Sequence, residues 1–223
     1  MKLILFFAAA GSIGGALGAI YGGEAAASLL PDAGTHGAWY ASRASGITAY
    51  LFLWIGLAGG LWMSSAWFDG LLSRARLLAV HQTAGIAGVL LGLGHGLILI
   101  PDQWTHFTFR DILVPGGSYY ETLWSTFGQA ALYLSAIVSF SFWFRSKIGV
   151  KAWKYLHYTS FLAYGAALWH GLMMGTDAHE LWLLGLYLAT SLAVVFIVIV
   201  RITYKRPASL RRIASDAREA TAA

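Results

Sequence analysis

The chain has 223 residues, of which 58% are hydrophobic and only 11% charged, and its mean hydropathy is +0.63. Soluble domains carry about 25% charged residues, so this composition, with several apolar runs of membrane-crossing length, places the chain in the membrane class and leaves no room in these residues for a soluble catalytic domain. The net charge of +5 is spread over short loops between apolar runs, which is the pattern of a cytoplasmic membrane face and not of nucleic-acid binding. With no cysteine, the chain has no disulfide, thiolate metal site, cysteine-ligated iron–sulfur cluster or covalent C-x-x-C-H haem attachment.

Taken in order, residues 1–23 hold one lysine followed by an apolar run. They read as a retained first span; the alternative is a signal peptide with Ala25, Ala26 and Ala27 near its cleavage site. Residues 30–40 read as a loop broken by Pro31, Asp32, Gly34 and Gly37. A second span is expected over 40–68, with Arg43 near its start and Trp62 and Trp67 near its end. Arg74 and Arg76 lie in the short loop before the third span, residues 77–100, which stops at Pro101. Residues 101–118 form the longest loop, with 104–114 as a short interfacial segment. The fourth span is expected over 119–144, a basic loop over 145–154, the fifth span over 153–175, a tight turn over 176–180 and the sixth span over 181–202.

Six spans put both termini on one side. All but Arg43 and Arg110 of the 15 lysines and arginines then fall on that same side, which the positive-inside rule makes cytoplasmic. The expected fold is therefore an all-α, multi-pass cell-membrane protein: a six-helix transmembrane bundle in lipid with cytoplasmic termini.

Histidine is costly inside a bilayer and marks function there. The third span carries His81 and His95, fourteen residues apart; the fifth carries His157 and His170, thirteen apart. Both spans run from inside to outside, so His81 matches His157 in depth near the cytoplasmic face, and His95 matches His170 near the outer face. The two levels are separated by roughly 20 Å at the helical rise. Two imidazoles are too few for a bare metal ion. They suffice for a haem iron, whose porphyrin supplies four nitrogens. Gly85, Gly88, Gly92, Gly94 and Gly96, with Gly165 and Gly171, remove bulk where a flat ring would approach, or else serve close helix packing. At about 100° per residue, fourteen residues return to nearly the same face, whereas thirteen end some 140° away. The fifth helix is therefore expected either to be irregular near Gly165 or to offer its two rings from different azimuths.

The H-x13-H and H-x12-H pairs, within the stretches SRASGITAYLFLW, HQTAGIAGVLLGLGHG and WKYLHYTSFLAYGAALWHG, resemble the ferric reductase-like transmembrane domain family. That family includes the NADPH oxidases, the ferric reductases and the haem-bearing membrane subunit of the bacterial methionine sulfoxide reductase system. The resemblance covers roughly residues 39–205, preceded by a first helix and outer loop over 1–38 and followed by a cytoplasmic tail over 206–223. It implies two b-type haems and electron flow across the membrane, with His81 and His157 ligating the inner haem iron, His95 and His170 the outer, and Arg43 matching the family's arginine at the outer end of the second helix. Two features depart from the family pattern. The cytoplasmic FAD and NAD(P)H domain common in oxidases and reductases does not follow the sixth span, and Leu99 stands where superoxide-producing members carry a histidine.

The expected function is thus a b-type cytochrome, fed by a separate cytoplasmic flavoprotein or by quinol and reducing an acceptor outside. Other possibilities are a structural or haem-bearing subunit of a larger redox complex, a superoxide- or ferric-reducing oxidoreductase working with a separate flavoprotein, and a proton-coupled carrier using the histidines as relays. Arg43 is a candidate partner of a haem propionate or of the outer substrate, and Arg74, Arg76, Arg145 and Lys154 of inner propionates. Phe161 and Tyr164, between the fifth-span histidines, read chiefly as core. His36, His106 and His179, with Asp32, Asp102, Asp177 and Glu180, are loop residues and a weak candidate metal set.

Overall fold

The computed structural model describes residues 33–65, 72–102 and 105–204, with side chains from residue 37 onward. The expected first span over 1–23, the tail over 206–223, Asp32 and the His36 side chain lie outside what is described. Among the described residues every regular element is helical: α1 (Ala33–Ser64), α2 (Arg74–Leu97), α3 (Phe109–Leu113), α4 (Thr122–Ser141), α5 (Arg145–Ile148), α6 (Val150–Tyr158), α7 (Ser160–Met174) and α8 (Leu181–Thr203). A 3-10 turn, Phe142–Phe144, joins α4 to α5.

Four helices among these residues are long and apolar enough to cross a membrane: Gly37–Ser64, Arg74–Leu97, Thr122–Ile148 and Leu181–Thr203. Their packing is that of a protein dissolved in lipid. Ser42, Ser125, Gln129, Ser135, Ser141 and Thr190 are buried, whereas Leu90, Leu162, Leu188 and Ile199 are exposed. In a bilayer the hydrocarbon covers apolar side chains, and small or polar groups turn inward to pack and hydrogen-bond. This pattern, like the composition and the four long apolar helices, is compatible with a multi-pass membrane protein.

The core joins α1, α7 and α8 through Tyr50, Leu57, Leu61, Tyr164, Leu183, Tyr187, Val194 and Ile197. At its centre the Tyr50 hydroxyl lies 2.8 Å from that of Tyr164 and 2.6 Å from Thr190 Oγ1. Trp54 Nε1 donates to the Thr190 carbonyl at 3.0 Å. Tyr164 is thus a core residue, and Phe161 packs against the same cluster. Two helix pairs are closely apposed, α1 with α2 and α4 with α7. The histidine-bearing helices α2 and α7 barely approach each other along their backbones. A slot therefore opens between the two pairs.

Three boundaries differ from expectation. The loop expected over 30–40 is helical from Ala33, so Arg43 lies well inside α1 and not near its start. Isolated glycines lower helix propensity by only about 1 kcal/mol each, and a span with this much apolar sequence carries Gly34 and Gly37 along. The basic loop over 145–154 is also mostly helical; only Gly149, at φ +88°, breaks it and separates α5 from α6. The expected fifth span is two helices of 9 and 15 residues meeting at Thr159. There the Thr159 N–H and hydroxyl both donate to the Leu156 carbonyl, at 3.1 and 2.7 Å. This is a tightened i→i−3 turn stabilised by side-chain back-bonding.

The long loop folds around α3, as expected of an ordered segment within 104–114. Thr108 caps α3 and Asp111 completes the capping box. The Asp111 carboxylate also accepts from the Tyr119 amide at 3.2 Å. The Thr108 hydroxyl bonded to this carboxylate, aided by the Thr108 and Tyr119 amides, holds its pKa below the ordinary value despite the opposing effect of burial. A depressed acid stabilises the fold above its unfolded pKa of about 3.9, and that contribution disappears as pH falls through the lower folded value. Amide exchange at Thr108 and Tyr119 is therefore expected to be slow at neutral pH and to accelerate, relative to intrinsic rates, only below the ordinary carboxylate range. Asp111→Asn should abolish that acid-dependent step.

Candidate functional site

The four histidines come together as the two expected pairs. The ring centres of His81 and His157 are 5.8 Å apart with planes crossed at 66°; those of His95 and His170 are 6.0 Å apart and crossed at 82°. A metal–imidazole bond of about 2 Å, with the ring centre about 1 Å beyond the nitrogen, puts two opposed imidazoles on one metal about 6 Å apart. Both pairs have that separation.

Their tautomers follow from their partners. His81 Nδ1 lies 2.7 Å from the Gly56 carbonyl, His95 Nδ1 2.7 Å from the Ser42 carbonyl, and His170 Nδ1 2.9 Å from the Trp124 carbonyl. A carbonyl only accepts, so in each case Nδ1 carries the proton and Nε2 keeps its lone pair. Ser42 reinforces His95: its hydroxyl donates to the His95 carbonyl at 2.8 Å and lies 3.0 Å from Nδ1. His157 differs. Its Nδ1 is buried without a hydrogen-bond partner among the described residues, and the ring instead stacks on Trp153 at 5.0 Å. Trp153 is itself fixed by an Nε1–H bond to Ser141 Oγ at 3.1 Å.

The phase problem of the thirteen-residue spacing is resolved in both of the expected ways, but not at Gly165. The irregularity is at Thr159, and one 3-10 residue advances the phase by only about 20°. The rest of the mismatch is taken up by azimuth, since His170 is seated against α4 at Trp124 while His157 follows Trp153 of its own helix.

Of the two roles expected for the glycines of the histidine-bearing helices, close packing is seen at four. Gly88 meets Leu53 of α1, Gly85 meets Ser139, Gly96 meets Ile112 and Gly171 meets Tyr187, so these four serve protein packing. The glycines that touch the imidazoles are on the partner helices. A Cβ at Gly46 would lie 2.8 Å from His95 Nδ1, one at Gly128 2.6 Å from His170 Nδ1, and one at Gly60 3.1 Å from His81 Cε1. A sequence signal for two of them was present: Gly46 and Gly60 are fourteen residues apart, as are His81 and His95 on the helix packed against theirs.

A cavity of about 690 Å³ opens at the His95–His170 pair, within the range of about 300–1,000 Å³ usual for cofactor and ligand sites. It is lined by both histidines, Gly46, Gly92, Gly128 and Leu132 among others. Gln129 Oε1 and Ser135 Oγ, on residues that also line it, are buried without partners among the described residues. At its rim Arg43 pairs with Asp177, and its guanidinium lies 4.2 Å over the Trp39 ring. The described members of the weak loop metal set are not assembled: Asp177 is engaged with Arg43 and Asp102 accepts from Thr105 at 2.8 Å. Among the described residues no group of three or more histidine or acidic side chains is placed to hold a bare metal ion. Near the other pair, Arg145 lies over the Phe142 ring at 4.2 Å.

No family model, curated protein or solved structure matches this chain. The chemistry of the site therefore rests on its own geometry: two imidazole pairs in an apolar slot, three of the four rings with Nδ1 turned to a carbonyl, which leaves Nε2 as the atom for a ligand. The residues present fit a group that brings its own equatorial ligands, which is what a haem does.

Arg43 and Asp177 are each about a quarter exposed, so their pairing is expected to be worth only about 0.2–1 kcal/mol. A double-mutant cycle with Arg43→Ala and Asp177→Ala, read from unfolding in detergent, should give a coupling in that range. A larger coupling would mean that the rim is an integral part of the fold.

Proposed function

We propose that this chain is a transmembrane b-type cytochrome of the ferric reductase-like kind, carrying electrons from a cytoplasmic donor to an acceptor on the outer face. The observation that carries the proposal is the pair of imidazole couples, each with ring centres about 6 Å apart and three of the four rings locked with Nδ1 protonated. Such locking is the usual outer support of a metal-ligating histidine, which fixes the ring and raises its basicity.

In this proposal His81 and His157 hold an inner haem, and His95 and His170 an outer one. The two b-type haems supply the one-electron chemistry. The protein does the rest. The Gly56, Ser42 and Trp124 carbonyls orient the ligands and exclude the wrong tautomer. The slot between the two helix pairs keeps the ligands in an apolar medium. Arg43, held at the cavity rim by Asp177 and Trp39, provides positive charge beside the outer pair for a propionate or an incoming acceptor. Residues 1–23 and the α6–α7 pair complete six spans, and the positive-inside count places both termini in the cytoplasm. The donor is a separate flavoprotein or quinol, and the chain acts as a redox component that works with it.

The test is haem quantitation with a redox titration on the wild type and on His95→Ala. The wild type should bind two haems per chain with low-spin b-type bands, and the crossed ring planes should give a strongly anisotropic low-spin EPR signal. His95→Ala should retain one haem. Haem-free protein from haem-replete cells would refute the proposal, and an unchanged haem count would remove His95 from the ligand set.

A further inference from the structure

The three carbonyls that anchor histidines share a pattern. Ser42 is followed four residues later by Gly46, Gly56 by Gly60, and Trp124 by Gly128. Within a helix the carbonyl of residue i already accepts from the amide of residue i+4. Side chains tilt towards the helix N-terminus, so the side chain at i+4 lies over the turn that holds that carbonyl. Where residue i+4 is glycine, the carbonyl is uncovered and its second lone pair is open to a donor from a neighbouring helix. The short distances from each virtual Cβ to its imidazole, 2.6 to 3.1 Å, show that any larger residue would occupy the place of the ring.

The exception follows the same rule. His157 lies thirteen residues before His170, and thirteen residues beyond Gly128 on the antiparallel α4 stands Ser141. Its hydroxyl is engaged with Trp153 Nε1 and the Val138 carbonyl, at 3.1 and 2.7 Å, and His157 Nδ1 has no partner among the described residues. No glycine stands at that position, and no anchor forms.

We infer that Gly46, Gly60 and Gly128 are positioning residues, each uncovering the carbonyl four residues earlier so that it fixes one imidazole with Nε2 as the free ligand atom. The His95–His170 pair is consequently anchored on both sides, and the His81–His157 pair on the His81 side alone. Loss of an anchor makes an imidazole less basic, which favours a reduced metal bound to it. The tautomer part of this inference is independent of haem; the part on potential rests on the proposed function.

The experiment uses full-length protein labelled with 15N-histidine, without haem, and the same protein loaded with haem. Without haem, His81, His95 and His170 are expected as the Nδ1–H tautomer and His157 as a mixture. Gly46→Ala should alter the His95 signal alone, Gly60→Ala that of His81, and Gly128→Ala that of His170. In loaded protein Gly46→Ala and Gly128→Ala should each raise the midpoint of one haem transition, and Gly60→Ala should raise the other. Gly185→Ala, away from the cavity, is the folding control, since its Cβ would meet nothing within 4 Å. Should the variants at Gly46, Gly60 and Gly128 fail to fold, Ser42→Ala, which keeps the carbonyl and removes only the hydroxyl near His95, should shift the same single transition by less and perturb the His95 signal alone. Unchanged tautomers in the glycine variants, or two midpoints moving together, would overturn the inference. If the protein takes up no haem, the proposed function fails while the 15N signals still decide the role of the glycines.

Discussion

A neutral histidine in an apolar bundle has one nitrogen that must donate and one that is free to accept, and there is no water to satisfy either. The donor has to find a carbonyl, and inside a helical membrane protein nearly every carbonyl is already bonded to the amide four residues on. The remaining capacity is the second lone pair of a helical carbonyl, which a bulky imidazole reaches most directly where the overlying side chain is missing. In this protein that constraint sets which helices are neighbours. α1 lies against α2 with Ser42 and Gly56 level with His95 and His81, and α4 lies against α7 with Trp124 level with His170. The two close pairs then face each other across a slot bridged by imidazoles.

Other features of the fold serve that arrangement. The Tyr50–Tyr164–Thr190 network ties α1 to α7 and α8 about midway along the chain between the two histidine levels. It replaces the water these hydroxyls would have at a surface, and it ties one helix pair to the other. The tightened turn at Thr159 serves the other end of the slot, where His157 is held by a stacked tryptophan and not by a carbonyl. A bundle of uniformly apolar helices would have no reason to keep such a gap. Here buried polar groups make the specific contacts, and the lipid-facing side chains are interchangeable in kind.

Much of the site was legible in the residues. The four histidines and their pairing, His81 with His157 and His95 with His170, followed from spacing. Hydropathy located most of the spans, because a bilayer imposes a minimum apolar length. The glycines were harder. Seven were singled out on the histidine-bearing helices, where a flat ring would be expected to need room, yet four of those turned out to serve helix packing. The glycines in contact with the imidazoles, Gly46, Gly60 and Gly128, lie on the opposite helices, and only the equal fourteen-residue spacing of Gly46–Gly60 and His81–His95 hinted at them.

By itself the sequence determined the apolar, membrane-type composition, the helical content and which histidines share a level. These depend on local composition and on a fixed rise per residue, and neither needs a partner to be specified. Only the tertiary structure decided which carbonyl meets which imidazole, that Arg43 is held by Asp177, and that the thirteen-residue spacing is met mainly by different azimuths of the two rings, with a small irregularity at Thr159 and none at Gly165. Azimuth and pairing arise from contacts between segments far apart in the chain, and a one-dimensional pattern carries depth along a helix but not the direction in which its neighbour lies.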